Sequence, residues 1–390
     1  MTKKLIYRFP KGFLWGTATS AHQTEGGNLN DWTIWEPGHI ADNSISGLAC
    51  DSYHRFSEDI ALAKKLNNNA YRFSIEWSRI EPRPHQFDKK ALQHYQAIID
   101  ECLRQKLTPL VTIYHFTLPI WFIEAGGWTN SAAPQTFNNY ALYLAQNLKR
   151  VKLWCTINEP GLYTWNAHGQ GKWPPQQKNL LSWWQALNNM IKAHQLAYQS
   201  LHLANKNCQV GIANNSQALQ PTNNWLINRW LNSMADYFIN NHFFQKTRGY
   251  HDYIGINYYF HRLIGIMPKN QANTWKNDLG WEINPQGLYQ VLLSAKKYNL
   301  PIYILENGLA DAKDQHRQQF ITEHLIMVHK AIQAGCPVKG YFHWSLLDNF
   351  EWKWGFTPRF GLYSVDYQSL ERRPRPSSRL YAKICKNNGF

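Results

Sequence analysis

The chain has 390 residues, of which 44% are hydrophobic and 17% charged, so it can bury a sizeable core and is not globally disordered. Its formal net charge of +15 would suit a nucleic-acid partner, but the basic residues are dispersed and match no DNA- or RNA-binding module. No stretch approaches the roughly 18 uninterrupted apolar residues of a membrane span. We therefore expect neither a nucleic-acid partner nor a transmembrane segment.

Aromatic residues make up 15% of the chain. Their flat rings are surfaces on which sugars stack, although a Trp-rich core would account for many of them. The six cysteines are scattered without a Cys-x-x-Cys pair, as buried reduced thiols are. Because Met1–Pro10 lacks the apolar segment of a signal peptide, we expect a cytoplasmic protein. No His-x-x-x-His spacing or phosphate-binding glycine loop occurs, so we expect neither metal nor cofactor.

A short apolar run, a polar loop and an amphipathic segment recur along the chain. The runs, each predicted to be a strand, are Phe13–Thr17, Ala70–Ile75, Leu110–Tyr114, Leu153–Ile157, Val210–Ala213, Tyr253–Asn257, Ile302–Leu305 and Val338–His343. The segments of helical period are Phe56–Leu66, Lys89–Arg104, Gln135–Lys149, Trp183–Leu203, Leu226–Phe244, Leu288–Tyr298, Gln318–Ala334 and Ser378–Ile384. Eight such units predict an α/β fold, a closed (β/α)8 TIM barrel, because an open sheet would leave edge strands to cover. No linker divides the chain, so one domain over residues 1–390 is expected.

Functional residues of such barrels lie at the C-terminal ends of the strands. Polar groups stand on or after seven of the predicted strands: Gln23 after the first, Arg72 on the second, His115 after the third, Asn158 and Glu159 after the fourth, Asn257 on the sixth with Tyr259 after it, Glu306 after the seventh and His343 on the eighth. Any one of them taken alone could simply cap a strand. Seven together favour a site that binds a polar ligand such as a sugar.

Two of these groups, Glu159 and Glu306, indicate chemistry. Each follows an apolar run directly, so both carboxylates are expected at the same end of the barrel. Glycoside hydrolysis needs such a pair, one carboxyl to donate a proton and a second to attack or to activate water. The alternative is that both glutamates form structural ion pairs.

Seven peptides then occur in the order in which one enzyme family carries them. They are Phe13–Ser20, Tyr71–Arg79, Thr156–Pro160, Gly255–Tyr259, Gly280–Ile283, Leu305–Gly308 and Trp344–Trp352. A lone Asn-Glu-Pro would be weak evidence, but the ordered set is very specific. Over nearly its whole length the chain resembles glycoside hydrolase family 1, the β-glucosidase family.

The resemblance implies a retaining β-glycosidase that removes a terminal β-D-glucosyl unit, with galactosides and fucosides as further substrates. Glu159 would be the acid/base and Glu306 the nucleophile, with their carboxyl groups about 5–5.5 Å apart. Arg72 and Tyr259 would keep Glu306 ionised by charge and hydrogen bonding. Apolar surroundings would raise the pKa of Glu159 so that it can donate a proton.

The same resemblance implies which residues bind the substrate. They are Gln23, His115, Asn158, Trp281, Trp344, Glu351, Trp352 and Phe360. Asn158 would meet the 2-hydroxyl and Glu351 would accept from the 4- and 6-hydroxyls, with Trp344 as the stacking floor. An anionic Glu351, together with Phe360, argues against a 6-phosphorylated sugar.

The departures from the family pattern concern the leaving-group side. Gly161 stands where the family usually has a Trp, Phe116 replaces another Trp, and the segment between Glu159 and Asn257 is short. They predict a wide leaving-group side whose opposite wall is Trp281. Four further tryptophans could rebuild a stacking platform there: Trp165, Trp173, Trp183 and Trp184. Alternatively, Trp183 and Trp184 begin a helix and pack in the shell around the barrel.

Two alternatives to a hydrolase stay open. A transglycosylase would use the same site and pass the glycosyl unit to an alcohol instead of water. A catalytically silent sugar-binding barrel would keep the cavity, but such relatives lose one or both carboxylates. A small-molecule β-glycoside is the expected partner, and the sequence does not predict an oligomeric state.

Overall fold

The computed structural model describes residues 7–266 and 275–390. Its strands are β1 Leu14–Ala18, β2 Ala70–Ser74, β3 Thr108–Tyr114, β4 Leu153–Asn158, β5 Gln209–Pro221, β6 Ile254–Ile264, β7 Ile302–Asn307, β8 Val338–Trp344, β9 Tyr363–Val365 and β10 Arg372–Pro374. Strands β1 to β8 lie side by side in parallel, and β8 pairs with β1 to close the sheet. The predicted (β/α)8 barrel is confirmed.

Helices fill the connections between the strands. They are α1 Ala21–Thr24, α2 Asp31–Trp35, α3 Ser52–Lys65, α4 Trp77–Ile80, α5 Lys89–Arg104, α6 Ile120–Glu124, α7 Ala133–Asn147, α8 Pro160–Thr164, α9 Leu180–Ala204, α10 Leu226–Asp236, α11 His242–Lys246, α12 Pro285–Ala295, α13 Arg317–Gln333 and α14 Pro376–Asn387. In α5 the Asp88 carboxylate caps the first turn, and the buried Ala91, Tyr95 and Ile98 share one face. No helix in the two described ranges is long and apolar enough to cross a bilayer.

Strands β5 and β6 continue past the C-terminal end of the barrel. The sequence predicted a strand only over Val210–Ala213, whereas β5 stays paired with β6 as far as Pro221 opposite Ile264. The extension begins with Asn-Asn-Ser-Gln at positions 214–217, a polar stretch that a search for apolar runs does not recognise as a strand. These two extensions flank the strand ends where the site is expected.

The helix predicted over Leu226–Phe244 is interrupted. A π-helical turn over Tyr237–Asn241 separates α10 from α11. Asn241 donates to the Asp236 backbone carbonyl at 3.0 Å and to the Asp236 carboxylate at 2.7 Å. Side-chain amides that bond nearby backbone compete with regular helical hydrogen bonds, which explains the irregular turn.

The C-terminal segment is fastened to the loop after β8 by a buried ion pair. Arg375 donates two hydrogen bonds of 2.8 Å to the two oxygens of the Asp348 carboxylate, and both residues are buried. The backbone amide of Gly361 donates to Asp348 Oδ1 at 2.9 Å. Because Arg375 directly precedes α14, this pair holds the last helix against the loop that carries Glu351.

Replacing Asp348 by Ala should lower the free energy of unfolding by about 3–5 kcal/mol, because the Arg375 guanidinium would stay buried without its carboxylate. The control is Asp100→Ala, since the Asp100 and Arg150 side chains are 46% and 57% exposed. That variant should lose about 1 kcal/mol at most. Urea unfolding followed by tryptophan fluorescence measures both, and equal losses would contradict the prediction.

Candidate active site

A cavity of about 320 Å³ opens at the C-terminal ends of the barrel strands. Thirteen of the residues singled out by the sequence line it: Gln23, His115, Phe116, Asn158, Glu159, Trp165, Trp173, Tyr259, Trp281, Glu306, Trp344, Glu351 and Trp352. They come from the beginning, the middle and the end of the chain. Closure of the barrel brings them together, because every parallel strand presents its C-terminal end to the same face.

Glu306 lies near the end of β7 against a buried cation. Arg72 Nη1 donates to Glu306 Oε1 at 2.5 Å, and the Tyr259 hydroxyl donates to Oε2 at 2.9 Å. Two different donors therefore fix the orientation of this carboxylate. Burial raises the pKa of Glu306, while the charge of Arg72 and these hydrogen bonds oppose the rise.

Glu159 follows β4 and contacts neutral donors instead. Asn257 Nδ2 and Asn215 Nδ2 both donate to Glu159 Oε1, at 2.8 and 3.0 Å. Burial, and after it the negative charge of Glu306, raise the pKa of Glu159 to about 8. A carboxyl group with such a pKa keeps its proton at neutral pH, as a general acid must.

The local sequence sets the position of Glu159. Its backbone is left-handed, with φ 46° and ψ 56°, so the chain turns sharply where β4 ends. Pro160 follows as the first residue of α8, a position that needs no amide hydrogen. The Glu159 amide still donates to the Ala213 carbonyl of β5 at 2.6 Å, which anchors the turn to the barrel. The Asn-Glu-Pro peptide thus ends the strand and begins the helix at the carboxylate.

Hydrogen bonds connect the two carboxylates beneath the cavity. Arg72 Nη2 donates to Asn158 Oδ1 at 2.7 Å, and Asn257 Nδ2 donates to the same oxygen at 3.1 Å. In order, the connected residues are Glu306, Arg72, Asn158, Asn257 and Glu159. Of the two carboxyl groups in this network, Glu306 is the one that Arg72 contacts directly. When the pair holds one proton, that proton therefore resides on Glu159.

Gln23 and Glu351 form a second polar group on the cavity wall. The Gln23 side-chain nitrogen donates to Phe350 O at 2.9 Å and makes a longer bond of 3.4 Å to Glu351 Oε2. Burial and the charge of Glu306 raise the pKa of Glu351 to about 8. With that pKa, the Glu351 carboxyl is largely protonated at neutral pH. Its charge is thus a weaker argument against a phosphorylated sugar than the sequence suggested.

Aromatic rings enclose the cavity on two sides. The His115 ring lies nearly parallel to Trp344 and Trp352, at 22° and 14°, with centroids 6.1 and 5.9 Å away. Trp281, which also lines the cavity, packs against Phe260 with ring centroids 4.7 Å apart. Flat apolar walls beside hydrogen-bonding groups suit a sugar, which has apolar faces and a polar edge.

Phe360 is placed differently from the prediction. It is buried, does not line the cavity, and packs 6.2 Å from Trp281 and 6.3 Å from Tyr259, measured between ring centroids. Phe360 therefore supports the wall from behind and does not itself face the cavity. Arg72 is likewise buried and does not line the cavity.

The outer half of the cavity is bounded by α8 and the turn that follows it. Its lining residues there are Leu162, Trp165, Asn166, Gln170, Lys172 and Trp173. A Cβ atom added at Gly161 would meet no atom within 4 Å, so space is open where the family usually has a Trp. Trp183 packs behind Trp165 with centroids 5.3 Å apart, and Trp184 packs on His242. Two of the four tryptophans, Trp165 and Trp173, thus line the cavity, and the other two lie outside it.

Sequence reasoning missed several lining residues. They are Asn215, Phe260, Arg262, Lys353 and Trp354. Asn215 lies on the polar part of the β5 extension, and Arg262 lies on the extension of β6. The run of amides at positions 214, 215 and 217 was the available signal.

Comparison with known proteins agrees with this geometry. The profile described as Glycosyl hydrolase family 1 matches residues 6–253 and 228–390. Beta-glucosidase A of Thermotoga maritima is 35% identical, with 99% of both chains covered. A beta-galactosidase of Sulfolobus acidocaldarius is 31% identical, with 98% of this chain and 96% of the other covered.

Solved structures agree as well. The β-glucosidase from Thermotoga maritima in complex with glucoimidazole superposes with a TM-score of 0.94 at 32% identity, covering 98% of this chain and 100% of that one. A β-glycosidase from Pyrococcus horikoshii gives a TM-score of 0.93 at 37% identity, covering 99% and 96%. The resemblance indicated by the seven ordered peptides is confirmed, and the chain belongs to glycosyl hydrolase family 1.

Proposed function

We propose that this chain is a retaining β-glycosidase that removes the terminal β-D-glucosyl unit of a small-molecule glycoside, with Glu159 as acid/base and Glu306 as nucleophile. Its relatives are named β-glucosidases and β-galactosidases. The observation that carries the proposal is the contrast between the two carboxyl groups. Arg72 keeps Glu306 available as an anion, while neutral amides leave Glu159 protonated.

In the first step, ionised Glu306 attacks the anomeric carbon while Glu159 gives its proton to the glycosidic oxygen. The bond between the anomeric carbon and the leaving group breaks, and an ester to Glu306 forms. Asn158, whose oxygen accepts from Arg72, is oriented to meet the 2-hydroxyl. That hydrogen bond strengthens in the oxocarbenium-like transition state and lowers the barrier.

In the second step, Glu159 changes from acid to base. The ester removes the negative charge of Glu306, which is one of the causes that raise the pKa of Glu159. The pKa of Glu159 therefore falls, and its carboxylate takes a proton from water as the oxygen of that water attacks the anomeric carbon. The ester bond breaks, the β-configured sugar leaves, and Glu306 is again an anion.

Transglycosylation needs only that an alcohol replaces water in the second step. The open space beside Gly161 gives such an acceptor room, so transfer should compete with hydrolysis when an alcohol is abundant. A silent sugar-binding barrel is disfavoured, because both carboxylates are present and joined through Arg72. We also propose one catalytic domain over residues 1–390 in the cytoplasm, since all six cysteines are buried and unpaired.

Removing the nucleophile tests the reaction class. Glu306→Ala should lower kcat on an aryl β-glucoside by at least about a thousandfold, because no ester can form. The control is Glu81→Gln, a buried glutamate that bonds Trp77 and His85 away from the cavity. NMR of the first product of the unaltered enzyme should show the β-anomer. An inverted product, or full activity in Glu306→Ala, would refute the mechanism.

The pH dependence tests the acid. General-acid catalysis needs protonated Glu159, so kcat/KM should fall as pH rises through about 8. Asn215→Leu removes a donor that stabilises the charged carboxylate, so it should raise the pKa of Glu159 and move this limb to higher pH. Asn166→Leu alters the cavity wall without touching Glu159 and should leave the limb in place. An unmoved limb in Asn215→Leu would argue against Glu159 as the titrating acid.

The leaving-group side should favour bulky apolar aglycones over long oligosaccharides. We expect aryl and alkyl β-glucosides to have a higher kcat/KM than cellobiose, and no steady rise from cellobiose to cellotetraose, because Gly161 leaves open space where a flat wall could order a long oligosaccharide. Gly161→Trp should lower kcat/KM for bulky aryl glucosides about tenfold by filling the open space, and should spare methyl β-glucoside. A steady rise with oligosaccharide length would show extended subsites and contradict this prediction.

A further inference from the structure

Helix α10 carries its apolar side chains on the outside. Four exposed apolar residues follow one another at intervals of four: Leu226, Trp230, Met234 and Phe238, which are 81%, 57%, 40% and 40% exposed. Phe238 lies just past the end of α10. Residues four apart share one face of a helix, so these four form a continuous apolar stripe. The only buried residue of α10 is Asn228. A helix of a globular protein normally turns such a stripe towards the core, and this one faces solvent.

The apolar stripe lies close to the cavity mouth. The ring centroids of Phe238 and Trp183 are 6.5 Å apart, and those of Trp183 and Trp165 are 5.3 Å apart. Trp165 in turn lines the cavity. The first turns of α9 add further exposed apolar side chains: Leu180 and Leu181, each 65% exposed, and Trp184, 40% exposed. The stripe and the mouth therefore belong to one face of the protein.

Positive charges accompany this face. Lys172, Arg262 and Lys353 line the cavity, and Arg229 lies on α10 directly before Trp230 and is exposed. Within the described ranges none of the four forms an ion pair. The whole chain carries a net charge of +15. The face thus combines apolar rings with cations that the protein itself does not neutralise.

We propose that this face docks on the surface of an anionic lipid bilayer, with the apolar stripe among the headgroups and the cations against the lipid phosphates. Trp, Leu and Met side chains exposed on one helix face are typical of segments that lie in the bilayer interface, and here the cations come from Arg229 of α10 and from neighbouring segments. The net charge of +15 adds attraction to an anionic surface. The same charge opposes contact between two copies of the chain, which favours lipid over a second copy as the occupant.

Docking in this orientation brings the cavity mouth to the bilayer. The consequence for substrates rests on the proposed function: a glycoside whose alkyl aglycone is held in the bilayer would enter from the side of Gly161, where space is open. The docking itself requires no catalysis. It is therefore tested by binding alone.

Sedimentation with vesicles tests the proposal on the full chain. The protein should sediment with vesicles that contain about 30% phosphatidylglycerol in phosphatidylcholine, and not with phosphatidylcholine alone. Raising NaCl from about 0.05 M to about 0.5 M should weaken binding by screening the cations. Leu226→Ser should lower the partition coefficient about tenfold, because a leucine side chain is lost from the buried apolar surface. The matched control is Leu203→Ser, since Leu203 is 80% exposed in the last turn of α9 and should not affect binding.

Three outcomes would overturn the proposal. They are equal binding to the two kinds of vesicle, equal losses in Leu226→Ser and Leu203→Ser, and no sedimentation of the unaltered protein with either vesicle. In the last case, a dimer seen by analytical ultracentrifugation and dissociated by Leu226→Ser would assign the stripe to a second copy of the chain. Turnover of a soluble aryl β-glucoside is measured separately. Its absence would contradict the proposed function, and the vesicle result would still decide the docking.

Discussion

The buried ion pair between Arg72 and Glu306 is the interaction on which the site depends. Burying a guanidinium is unfavourable unless all its donors are satisfied, and a partner carboxylate left alone would be equally unfavourable. Arg72 comes close to this condition with four bonds from its three nitrogens, to Glu306, the Leu305 carbonyl, Asn158 and Thr112. These partners come from β3, β4 and β7, so one side chain ties three other strands of the barrel together. The geometry of the site follows from that requirement.

The two carboxyl groups show how contacts separate the roles of identical residues. Burial raises the pKa of both Glu159 and Glu306. The difference comes from Arg72, which touches one of them, and from the charge of Glu306, which helps to keep the proton on the other. The pair titrates as a unit, so a change at either residue alters the protonation of both. The esterification of Glu306 that we propose would be such a change.

The sequence predicted the barrel because buried parallel strands must be apolar, and eight such runs at regular intervals have few other arrangements. It predicted the position of Glu159 and Glu306 because a closed parallel barrel places the C-terminal ends of all its strands at one face. Asn215 escaped notice because its part of β5 is polar, and the place of Phe360 behind Trp281 depends on packing that no local pattern encodes. For α10 the helical period was informative, but a period cannot tell which face of a helix is inside.

The cavity is divided between two kinds of selectivity. Around Glu351, Gln23 and Asn158 a ligand meets fixed hydrogen-bonding groups, and a sugar that lacks a matching hydroxyl leaves one of them buried and unpaired. Such mismatches reject an analogue by about ten-thousandfold or more, whereas an apolar wall discriminates by only about 10–200-fold. A Cβ atom at Gly161 would meet no atom within 4 Å, and the aromatic rings of Trp165 and Trp173 line the cavity near that helix. We therefore expect the protein to be selective for the glycosyl unit of its substrate and to accept a range of leaving groups.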